Sequence, residues 1–190
     1  MAGSLTSFLI SSMPLPRLGE KPVVDSARFL DLCQPHLAPA EFAALAAVAL
    51  VPAGKPCCET QRRWDEFEIY LRNRIAEKRA ATLKVEAQPH LRAERDVFPG
   101  WRRQIDDALA APTPLARERA LDRLRWQRLE DLVPGHEMDF DALVNYRLRL
   151  LLVEKEAGWQ PEAGAERLAA AVKAAGAGAA GVRAAGHDAA

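Results

Sequence analysis

The chain has 190 residues, 49% hydrophobic and 27% charged, with 26 Lys+Arg against 26 Asp+Glu. That length supports one domain, or one domain with a small appendage, around a core of its own. The balanced charge excludes a global electrostatic pull toward nucleic acid or an anionic membrane.

Pro14, Pro16 and Pro22 deny residues 1–25 a continuous helix, so an extended segment is expected there, laying Phe8, Leu9 and Ile10 on the body. Met1 to Met13 carries no basic leader and no small-residue cleavage site, so no export signal is expected. Asp25 or Ser26 caps a short helix with Phe29, Leu30 and Cys33 at helical spacing, ending near Pro35. Pro39 opens another, with Phe42, Leu45, Val48 and Ala49 as its apolar face.

Pro52 to Glu59 reads as a loop, after which Thr60 is expected to cap the longest helix, over about Thr60 to Ala87. Trp64, Phe67, Leu71, Ile75 and Leu83 form its stripe, and mixed charges fill the rest, as on a helix with a partner on one side. Trp101, Ile105 and Leu109 begin a helix that stops before Pro112. Thr113 and Pro114 start the next, which carries Leu121, Leu124, Leu129 and Leu132.

Asp139 caps a helix holding Phe140, Leu143, Val144, Leu148, Leu151 and Leu152, apolar enough for a central place and closed by Gly158. Pro161 opens a last helix with Leu168 and Val172. From Gly176 to Ala190 four glycines and seven alanines leave nothing bulky to bury, and disorder is expected. No strand pattern follows the N-terminus. The expectation is an all-α, irregular multi-helix bundle forming one domain over 1–175, with the tail over 176–190. No run approaches the roughly 18 to 20 apolar residues of a membrane-spanning helix.

Candidate chemistry is sparse. Cys33, His36, Cys57 and Cys58 are ligand types for zinc or iron and make a metal-dependent or redox protein the main alternative, although paired Cys-x2-Cys knuckles are missing. A buried thiol at Cys33 is equally a small hydrophobe. Cys57 or Cys58 with His90 or His136 has no spacing that marks a nucleophile and its base. Asp106-Asp107 and Glu130-Asp131 point about 100° apart on a helix and do not converge. Neither phosphate-binding glycine motif is present. From Thr60 to Glu130 there are 16 Lys+Arg against 12 Asp+Glu, a mild excess that leaves a helical nucleic-acid module over Arg62–Arg79 as a further alternative. No catalytic residue and no cofactor is expected.

The run Phe8-Leu9-Ile10-Ser11-Ser12-Met13-Pro14, then Gly19, Pro22, Phe29-Leu30 and Cys33, resembles the start of domain-of-unknown-function family 2764. Trp64-x-x-Phe67-Glu68 with Leu71-Arg72-Asn73 and Arg79-Ala80, and Tyr146-x-Leu148-x-Leu150 with Gly158, extend the resemblance over about Phe8 to Lys173. The family is associated with bacterial V/A-type ATPase subunits, and its helical pattern is similar to that of the C (d-type) subunit. The resemblance implies a non-catalytic accessory, stalk-associated or assembly protein that binds V/A-type ATPase subunits. The three cysteines, Cys33, Cys57 and Cys58, are an odd number whose adjacent pair closes no unstrained bridge, so a reduced cytosolic home is expected, and the resemblance adds a peripheral place at the inner membrane through its partners. Under that implication Phe8, Trp64, Phe67, Leu71, Arg72 and Arg74 are the candidate partner-binding residues, with core packing as the competing reading of the apolar ones.

Overall fold

The computed structural model describes residues 2–96 and 98–159, without the side chains of 2–5. The helix expected from Pro161 and the tail from Gly176 lie outside the described residues. The chain divides into two units, Met1–Glu156 and Ala157–Ala190.

Seven α-helices and no strand occur among the described residues, so the fold is all-α. They are α1 (Ala2–Ser12), α2 (Ser26–Cys33), α3 (Pro39–Ala46), α4 (Glu59–Leu83), α5 (Pro99–Leu109), α6 (Pro114–Asp131) and α7 (Phe140–Ala157). Short 3-10 turns cover Gln34–His36 and Gln88–His90. No described helix is long and apolar enough to cross a membrane.

Local signals place most helix starts. Asp25 accepts from the Arg28 backbone N–H, Thr113 Oγ1 from Ala116 and Asp139 Oδ1 from Ala142, each satisfying a donor the first turn would orphan. Two expectations change. The extended segment is confined to the residues after Ser12, because Pro14 is the first residue that stops a helix, and α1 forms ahead of it. Within α1, Leu9 is buried whereas Phe8 is 66% exposed, so Phe8 does not pack on the body.

The longest helix starts at Glu59, so Thr60 is not its cap. Cys58 holds the cap position without a side-chain bond, and Asp141 of α7 accepts from the Thr60 N–H instead. The same device recurs at α2, where Glu154 of α7 accepts from the Ser26 N–H. Two acids of α7 thus serve the positive ends of two other helices.

Two apolar clusters make the core. One gathers Leu9, Met13, Phe29, Cys33, Leu45 and Trp64 with Leu143, Tyr146, Leu148 and Leu152 of α7. Phe29 stacks on Tyr146 at 4.9 Å between ring centroids, and the Tyr146 hydroxyl donates to the Pro14 carbonyl at 2.7 Å. The other holds Phe67, Tyr70 and Leu71 of α4 against Phe98, Ile105, Leu109, Leu121 and Leu124. Phe67 meets Phe98 and Trp101 edge to face. Trp64, Asp65, Phe67, Tyr70 and Asn73 are all buried, and at about 100° per residue they surround the axis, so the middle of α4 is packed on more than one side, against the one-sided expectation. Helix α7, with nine buried residues, takes the central place its composition predicts.

Candidate functional site

The second half of α4 is where the fold leaves both charge and apolar surface at hand. Its base is an ionic network. Arg125 of α6 donates from Nε and Nη2 to the two oxygens of Glu68, each at 2.9 Å, and from Nη1 to Asp122 at 2.8 Å. Lys155 of α7 donates to both Asp122 oxygens, at 2.8 and 3.0 Å, and to Glu118 at 2.6 Å. Arg72 closes the chain on Glu68 at 2.8 Å.

Glu68 and Asp122 are each 1% exposed, so these carboxylates depend on their cations for the solvation they have lost. Burial works against the charge of Arg125, but Glu68 and Asp122 outweigh it and hold the guanidinium above its ordinary range. Burial likewise pushes Glu118 up, and Lys155 with Arg125 more than reverses it. Three cations meet three carboxylates, and α4, α6 and α7 are tied at one point.

Above this base α4 presents three parallel rows at four-residue spacing. Ile75, Arg79 and Leu83 form a ridge shared by two clefts, of about 450 Å³ and 300 Å³. Arg72, Ala76 and Ala80 line the larger, with Val85 and His90 across it. Lys78 and Thr82 line the smaller, facing Leu109, Arg117 and Leu121. Leu83 is 70% and Val85 56% exposed.

The chain reverses at Lys84, whose φ of 57° is left-handed. The Val85 N–H donates back to the Ala80 carbonyl at 3.0 Å, as at a Schellman helix end. The connection that follows is pinned by Asn73, which donates to the Arg92 carbonyl and to Glu94 and accepts from the Arg92 N–H. Lys84→Gly relieves a left-handed conformation that a side chain resists, and is expected to raise stability by about 0.5–1 kcal/mol. A higher urea midpoint with an unchanged slope is the check, and a lower midpoint refutes the reading.

A second constellation lies at the start of α7. Ligand atoms of His136, Asp139 and Asp141 lie within 4.8 Å of one another. Each carboxylate already serves the fold. Asp139 caps α7 and contacts His136 Nδ1 at 2.7 Å, and Asp141 caps α4. The hydrogen bond to Asp139, followed by nearby carboxylate charge, raises the His136 pKa above its ordinary value.

The sequence-derived candidates fare unequally. Trp64, Phe67 and Leu71 are fully buried, so their place is the core and not a partner-binding surface. Arg74 is spent on Glu94 and Glu77 with its side chain 14% exposed, and its guanidinium lies 4.9 Å from the Tyr70 ring centre. Phe8 and Arg72 remain on the surface. No three of Cys33, His36, Cys57 and Cys58 come together as a metal group among the described residues. Cys33 is buried, and burial pushes its thiol up to about 11. Burial raises Cys57 and Cys58 as well, which disfavours the thiolates that redox and metal chemistry need.

On the helix offered as a nucleic-acid track, Arg62, Arg63, Arg72 and Arg74 are all engaged by carboxylates. Sequence reasoning missed the ionic network and the clefts. Arg125 continues the Leu121 row and Glu68 the Trp64 row at four-residue spacing, and that was the available signal. No protein family matches this chain, and neither a curated protein nor a solved structure matches it.

Proposed function

We propose that this chain is a non-catalytic accessory, stalk-associated or assembly protein of a V/A-type rotary ATPase, acting by protein–protein binding. The observation that carries the binding half is the Ile75–Arg79–Leu83 ridge, apolar at its two ends, and its two clefts, left open on a helix whose first half is core. The ATPase half rests on the resemblance. Leu9, Met13, Phe29, Cys33, Trp64, Phe67, Tyr146, Leu148 and Leu150, all part of the resembling pattern, are buried. The likeness therefore runs through residues that build the helical body and join the N-terminal segment to α7. Catalysis belongs to the partners, and the protein works in the cytoplasm, held at the inner membrane through them. Pull-down of the tagged chain from its native cell in mild detergent is expected to recover ATPase subunits. Recovery of none of them sinks the ATPase assignment.

A further inference from the structure

We propose that the Ile75–Arg79–Leu83 ridge and its flanking clefts receive an acidic amphipathic helix of a partner protein. The inference rests on the reading of this chain as a protein-binding module and names the chemistry of what it binds.

The shape argues for a helix. A ridge along an i±4n row, with a recess on each side, fits the groove between two such rows of another helix, and the two helices then cross near −50°. Ala76, a small half-buried residue in the row bordering the larger cleft, lets a partner backbone approach closely, with buried Ala80 in the cleft wall beyond it. From Arg72 to Leu83 the site runs about 16 Å along α4 at 1.5 Å per residue, room for about three turns of a partner. Leu83 and Val85 offer the apolar contact that an amphipathic face needs.

The charge argues for acids on that helix. Arg72, Lys78, Arg79 and Arg117 border the clefts, and Glu118 is the one carboxylate among the lining residues. Glu118 is already taken by Lys155. Lys78 forms no ion pair within 4 Å among the described residues, and Arg79 has only a longer-range attraction to Glu118, in contrast to the closely paired arginines earlier on α4. A partner with leucine-like residues facing the ridge and Asp or Glu at its edges meets both features.

The test is photo-crosslinking of the full chain in its native cell, with Thr82→p-benzoylphenylalanine as the probe and the same replacement at exposed Met138 as the control. Crosslinked segments are identified by mass spectrometry. The expected result is a probe-specific crosslink to a segment of another protein with apolar residues at helical spacing flanked by Asp or Glu. Its yield should fall about tenfold when Lys78→Glu and Arg79→Glu are added, with an unchanged circular dichroism melt. Crosslinks to a second copy of this chain, to lipid or to nucleic acid overturn the proposal, as does a yield no higher than at Met138 or unmoved by the charge reversals. ATPase subunits recovered equally by wild type and Leu83→Ser overturn the ridge and leave the ATPase reading standing. An acidic helix crosslinked from a protein outside the ATPase does the opposite.

Discussion

Arg125→Met is expected to lower the free energy of unfolding by about 3–5 kcal/mol. The substitution keeps much of the side chain's apolar length and removes three hydrogen bonds from a guanidinium held by Glu68 and Asp122. What it leaves matters more than what it deletes. Glu68 becomes a buried carboxylate answered only by Arg72, whose side chain is 42% exposed, while Asp122 keeps Lys155. A companion variant separates the two contributions. Glu68→Met with Arg125→Met removes the stranded charge together with its cation, and its cost is expected to be smaller than that of Arg125→Met alone. The cycle should give a coupling of about 1–3 kcal/mol. Urea unfolding of the four proteins measures it, and a single-variant cost below about 1 kcal/mol would refute the buried-network account.

Asp65→Asn is expected to act in the opposite direction and to depend on pH. Asp65 is 7% exposed, and its Oδ1 has no hydrogen-bond partner. Burial first, then the charges of Glu68 and Glu66, push its pKa from 3.8 to about 6. For a carboxyl whose folded pKa is raised, the protonated form is the one the fold tolerates. Its stability is fully present below the unfolded value near 3.8 and is lost as pH rises through about 6. Above that the folded chain carries the ionised group at a penalty bounded by about 3 kcal/mol, at 1.36 kcal/mol for each pKa step. The amide removes the ionisation, so a gain of about 2 kcal/mol is expected at pH 7.5, shrinking to almost nothing at pH 4. Urea midpoints at pH 4, 5, 6 and 7.5 decide the matter. An equal gain at every pH would show that shape, and not charge, is responsible.

Both effects arise from residues that periodicity assigns to solvent. A charged residue counts as surface in any hydrophobic pattern, and Glu68 finds Arg125 at a separation of 57 residues, which local spacing does not encode. Where the physics is local, the sequence is a good guide. Asp25, Thr113 and Asp139 each cap within three residues, and Pro39, Pro99 and Pro114 each occupy a first helical turn. Cys58 defeats that logic because the acceptor at the α4 start is Asp141, 81 residues beyond the Thr60 N–H that it takes. The ridge was hidden for a related reason. Ile75 and Leu83 belong to the same apolar stripe as Trp64 and Phe67, and nothing in the spacing says where along α4 the covering helices end.

The capping of α2 and α4 by acids of α7 has a consequence in time as well as in space. Glu154 follows Ser26 by 128 residues, and at about 5–20 residues per second a ribosome needs roughly 6 to 25 s to supply it. Throughout that interval the emerging α2 has its own Asp25 but lacks the second acceptor, and α4 lacks Asp141 for most of the time that its apolar stripe is exposed. The segment from α2 through α6 therefore emerges with its apolar faces uncovered, and the arrival of α7 supplies both missing acceptors together with the central residues of the first core cluster.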